Sequence, residues 1–81
     1  MYERVKAHKK RTVGASATLR ALQKQELSEV FVADDADSRV VQPVIEACQH
    51  AGISVSHVGS QSLLGKACGL SVGASAVGLI R

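Results

Sequence analysis

The sequence predicts an α/β fold: a three-layer α/β/α sandwich around a small four-stranded mixed sheet. Three observations lead there. Segments with the period of a strand alternate with segments carrying the period of a helix from one end of the chain to the other. Apolar residues make up 46% of the 81, mostly Val, Ala, Leu and Ile, which is enough for one core near the lower size limit of an unstapled domain. No linker, repeat or low-complexity run interrupts the pattern, so one domain over residues 1–81 is expected.

The elements are read in order. A short basic helix over about residues 2–8 precedes a first strand near Arg11–Val13. A helix follows from about Ser16, taken as its N-cap, to Gln25. Helical spacing puts Ala15, Leu19 and Leu22 toward the sheet and Ala17, Arg20 and Lys24 on the other side. The unpaired N–H groups and partial positive charge at such a helix start suit an anionic partner. Val30-Phe31-Val32-Ala33 reads as a strand, and Asp34-Asp35-Ala36-Asp37 as an acidic turn. The next helix carries Val41, Val44, Ile45 and Cys48 on one core stripe and ends near Ala51-Gly52, with Gly52 in the left-handed capping conformation. Pro43 leaves two readings open: an irregular first turn from Ser38, or regular helix starting only at Pro43. Ile53–Val58 alternates as a half-buried strand. A short helix, Gln61–Cys68, breaks at Gly69 into an apolar tip, Leu70-Ser71-Val72, which Gly69 and Gly73 free to project. Ser75–Ile80 closes the chain as a strand.

Composition narrows the function. Tyr2 and Phe31 are the only aromatic residues, which argues against readers that stack several bases on rings. Cys48 and Cys68 have no CxxC spacing and are expected as buried free thiols of a reducing cytosol. No apolar run reaches the roughly 18 residues of a membrane span, and the charged start is not a secretory signal, so a cytoplasmic protein without membrane contact is expected. The charge is polarised. Residues 1–24 hold Arg4, Lys6, Lys9, Lys10, Arg11, Arg20 and Lys24 against Glu3, a balance of +6. Residues 25–46 hold Glu26, Glu29, Asp34, Asp35, Asp37 and Glu46 against Arg39, a balance of −5. A basic face of this kind attracts polyanions by releasing their counterions.

Leu64-Gly65-Lys66-Ala67-Cys68-Gly69, Ala33-Asp34-Asp35-Ala36 and Gln42-Pro43-Val44-Ile45-Glu46-Ala47-Cys48 occur in an order and spacing that resemble the kink-turn-binding ribosomal protein family (the L-seven-Ae family), most closely its small bacterial members. The resemblance runs from about Lys9 to Ile80. It implies binding to RNA duplexes sharply bent at a short bulge beside tandem sheared G·A pairs. It also implies an Asn-Glu-x-x-Lys segment at Ser16, Ala17 and Arg20, reaching the G·A edges after Gly14 and Ala15. Leu70, Ser71 and Val72 would cover the bulge, and Val41 would lie near a flipped-out nucleotide. Lys9, Lys10, Arg11, Lys24 and Lys66 complete the expected RNA-binding set. Ser16 and Ala17 depart from the family's Asn and Glu, and Gln61 stands where many relatives carry Lys. Each lost base-edge contact removes about 1–3 kcal/mol of discrimination, so weaker or differently tuned binding is expected. Ribosomal, riboswitch and ribonuclease RNAs all fit as targets, with the ribosome as a further partner; a monomer without cofactor or metal is expected.

Two rivals compete. Gly59-Ser60-Gln61-Ser62-Leu63-Leu64-Gly65-Lys66-Ala67 has the look of a phosphate-binding loop, but five residues separate its glycines instead of four, and Ala67 replaces the magnesium-binding hydroxyl. His8, His50 and His57 show no i,i+4 ligand spacing, so no catalytic residue and no enzyme is expected. The other rival is a ribosome-associated protein-interaction module with weak, non-specific RNA binding, which Ser16 and Ala17 favour by removing base-edge groups.

Overall fold

A computed structural model describes residues 2–81. The chain runs α1 (Tyr2–Ala7), β1 (Arg11–Val13), α2 (Ala15–Gln23), β2 (Leu27–Ala33), α3 (Ser38–Ala51), β3 (Ser54–Val58), α4 (Gln61–Ala67) and β4 (Ala76–Ile80). The sheet order is β1-β4-β2-β3; β2 and β3 are parallel, and β4 is antiparallel to both β1 and β2. The sheet is therefore four-stranded and mixed, as expected.

Alternation along the two central strands builds the three layers. Phe31, Ala33, Val77 and Leu79 face one way and pack with Val5 of α1 and Leu64 and Ala67 of α4. Val30, Val32 and Ala76 face the other way and pack with Ala21 and Leu22 of α2 and Val41, Val44 and Cys48 of α3. Phe31 and Leu64 have no exposed surface, and burial raises the Cys48 thiol above its ordinary pKa. Cys68 is only half-buried. Among the described residues no helix is long and apolar enough to cross a membrane.

Several boundaries depart from expectation. β2 begins at Leu27, three residues early, because Glu29 is accommodated near the interior by pairing with Arg4 of α1, and a register irregularity lies between Leu27 and Glu29. α2 begins at Ala15, with Gly14 rather than Ser16 at the N-cap and no side-chain cap. The backbone of Gly14 (φ 95°, ψ 155°) turns the chain straight from strand into helix, a conformation L side chains rarely adopt. The buried stripe of α2 is Thr18, Ala21 and Leu22, while Ala15 and Leu19 are half-buried.

Pro43 neither starts α3 nor disorders its first turn. The helix runs from Ser38 through Pro43, with Asp37 capping it through the Arg39 N–H at 2.9 Å. The proline ring is exposed, so the lost hydrogen bond falls on the solvent side, where water can replace it. Gly52 closes α3 in the left-handed conformation, as expected.

Candidate nucleic-acid interface

Strand direction gathers the loops that matter. The C-terminal ends of β1, β2 and β3 all lie at the end of the sheet where β4 starts, because β4 runs against β1 and β2. Backbone bonds join them there: Gly14 N–H donates to the Ala76 carbonyl at 2.7 Å, and Ala33 N–H to that of Ser75 at 2.9 Å. Asp34 N–H donates to the Val58 carbonyl at 2.7 Å. The start of α2, the acidic turn, the start of α4 and the run into β4 therefore share one end of the molecule.

At that end α2 presents exposed Ser16 and Arg20, with Ala17 half-buried between them. Beneath, the fully buried Thr18 exchanges a hydroxyl hydrogen bond with Thr12 of β1 at 3.0 Å, and Thr12 also accepts the Gly78 N–H at 3.2 Å. Helix and edge strand are thus clamped directly under the exposed residues.

The apolar tip is anchored to α4. Gly69 (φ 78°) ends the helix, and the Leu70 N–H returns to the Gly65 carbonyl at 3.0 Å. Residues 70–74 then double back along α4. A Cβ on Gly65 would sit 2.0 Å from the Val72 carbonyl oxygen, and one on Gly73 3.1 Å from Gln61 Cβ. The Ala74 N–H donates to the Gln61 carbonyl at 3.0 Å. Leu70 is left 38% exposed and Val72 66%, too much for an apolar turn folded onto its own core. Gly73 serves close approach rather than a left-handed backbone. Val72 and Ala76 are four residues apart, so Val72 lies within about 14 Å of the residue that holds Gly14.

The remaining expected residues divide. Val41 is 7% exposed and belongs to the core under α2 and α3, so it offers a nucleotide only a narrow edge. Arg11 is not a free cation: its Nη1 donates to the Val5 and His8 carbonyls at 3.0 and 2.9 Å, tying down the end of α1. Lys9 and Lys10 precede β1 at the opposite end of the sheet, where the Ile80 N–H bonds the Lys10 carbonyl. Lys24 follows α2 at that same far end. Lys66 is exposed on the last turn of α4, beside Tyr2, Lys6 and Leu63.

The acidic turn has structural work. Asp35 accepts the Gln61 N–H at 2.8 Å, and Ser60 accepts that of Leu63 at 3.2 Å, so both cap α4. Asp34 pairs with His57 Nδ1 at 3.0 Å. The Arg39 guanidinium beside Asp37 holds that carboxyl below the ordinary carboxylate range. Among the described residues no cluster of His, Cys, Asp or Glu is placed to hold a metal ion. Sequence reasoning missed Gly65 and Thr18 as supports of the candidate interface. Only Gly65, a glycine inside a helix, carried a readable signal of close packing.

The chain is similar to known proteins over its whole length. It is 45% identical over 80 residues to an RNA-binding protein of Geobacillus sp. (strain WCH70), covering 99% of this chain and 98% of that one. It is 42% identical, with the same coverage, to RNA-binding protein YbxF of Geobacillus stearothermophilus. The solved structure of the Giardia lamblia 15.5kD RNA binding protein superposes with a TM-score of 0.88 at 25% identity, over 99% of this chain and 68% of that one. A protein of unknown function from Bacillus halodurans shares the fold, with a TM-score of 0.85 at 20% identity over 99% of this chain and 80% of that one. The model of the ribosomal protein L7Ae/L30e/S12e/Gadd45 family matches residues 1–81, and the chain belongs to that family.

Proposed function

We propose that the protein binds RNA and recognises kink-turns, holding them in the bent form without chemistry. One observation carries the reading: an amphipathic helix start and an exposed apolar tip, each braced from beneath, share one end of the sheet. The relatives named as RNA-binding proteins support the broader part of it. In this reading the backbone N–H groups at the start of α2 meet phosphates, and Arg20 supplies a forked contact to a guanine edge. Leu70 and Val72 cover the unstacked bulge. Free RNA exchanges between extended and bent forms, and the protein draws the population toward the form it binds. Ser16 retains one hydroxyl and Ala17 no hydrogen-bonding group, so affinity rests more on phosphate and shape than in relatives with Asn and Glu.

A binding isotherm tests this with one kink-turn and a control whose G·A pairs are replaced by Watson–Crick pairs, each at two salt concentrations. Selective loss on the control supports base-edge recognition. Equal, steeply salt-dependent binding to both RNAs rejects it in favour of charge alone.

A further inference from the structure

We infer that the far end of the sheet carries a second RNA-backbone surface, built from Lys9, Lys10, Lys24 and Arg81, so that the protein bridges two RNA segments. The inference rests on the RNA-binding reading for its first contact, but on different residues. Lys9 and Lys10 enter β1 while Gly14 leaves it, which separates Lys10 from Gly14 by about 13 Å of extended chain. That separation puts the start of α2 past the reach of a lysine side chain. Lys9, Lys10 and Arg81 line an open notch of about 340 Å³ with His8. His8 Nε2 donates to the Ile80 carbonyl at 2.6 Å, pinning the end of α1 to the last strand and fixing one wall. Arg81 lines the notch, and its Nε donates to the Leu27 carbonyl at 3.2 Å, toward the start of β2. Lys24 is exposed at the end of α2, at the same end of the sheet.

No salt bridge engages Lys9, Lys10, Lys24 or Arg81 among the described residues. Exposed Glu26 also lies at this end, where its backbone carbonyl accepts the Arg81 N–H at 2.9 Å. Exposed lysines at an open notch suit a continuous phosphate backbone better than an enclosed small ligand. An A-form duplex, read through its phosphates without sequence, is the partner.

The test is capture in trans. A kink-turn RNA is immobilised and saturated with protein, and a labelled plain RNA duplex without G·A pairs is added. Wild type should retain the duplex. The Lys9→Ala/Lys10→Ala double variant should retain at least about five-fold less, while its kink-turn affinity stays within about two-fold. The salt slope of its plain-duplex binding should fall by about 2. Absence of retention by kink-turn-bound wild type overturns the inference, as does a parallel loss of kink-turn affinity in the double variant. If the immobilised RNA holds no protein, the kink-turn reading fails, and a plain-duplex isotherm in solution decides this one. Loss of that binding in the double variant then supports the second surface; equal affinity overturns it. A duplex displaced more readily by polyglutamate than by unlabelled RNA would assign the surface to acidic protein and reject RNA.

Discussion

Gln25 sits at φ 58°, a left-handed backbone that costs an L side chain about 1–2 kcal/mol per residue. It closes α2 just as Gly52 and Gly69 close α3 and α4. In each case the left-handed residue and the one after it donate to two carbonyls of the last turn. Gln25→Gly should therefore stabilise the protein by about 1 kcal/mol in urea unfolding, leaving RNA binding unchanged. Thr18→Val removes the hydroxyl bond to Thr12 within the clamp under α2. It should cost about 1 kcal/mol by the same measurement. At the start of α3, Asp37 makes the acid limb predictable. Its carboxyl is held below the ordinary carboxylate range, so its stabilising contribution is present above that range and fades as pH falls through the depressed value. Asp37→Asn should flatten this part of the curve of urea midpoint against pH.

The α4 unit is the element on which the proposed interface turns. Gly65 lets residues 70–73 fold back against the helix, so Gly65→Ala forces either the Val72 carbonyl or the helix to move. It should cost about 1–3 kcal/mol and weaken RNA binding by displacing the tip. Arg20→Ala and Leu70→Ala, both at exposed positions, should weaken kink-turn binding while leaving the urea midpoint near wild type. Element by element, the chain was legible wherever local chemistry decides. Gly52 and Gly69 end helices because they tolerate the left-handed backbone. Ile53–Val58 reads as a strand by alternation, with only its first residue given over to closing α3. Legibility failed where distant partners decide. Ser28 and Glu29 fall outside the strand read at Val30–Ala33, and Glu29 joins it only with Arg4 arriving from α1. Ser16 has the chemistry of a cap, but Gly14, held by Ala76 across the sheet, starts the helix before it.

At the scale of the molecule, the basic N-terminal third reads in sequence as one face. Folding splits it: β1 carries Lys9 and Lys10 to one end and Gly14 to the other, and Arg11 turns inward to α1. The lysine-rich run and the helix start are adjacent in the chain and separated in space, and only strand direction reveals it. The acidic turn likewise lies beside the candidate interface, with its three carboxylates occupied by His57, by the start of α4 and by Arg39. What the sequence could not encode locally is the gathering of the start of α2 and the run from the tip into β4 at one end, which depends on β4 pairing with β1 and β2 at once. The most direct test is fluorescence energy transfer between the two stems of a labelled kink-turn, titrated with wild type and with the Arg20→Ala/Leu70→Ala double variant. The account predicts that wild type raises transfer to a bent plateau and that the variant needs far more protein to do so. Saturating wild-type protein that leaves the bend unchanged would contradict it.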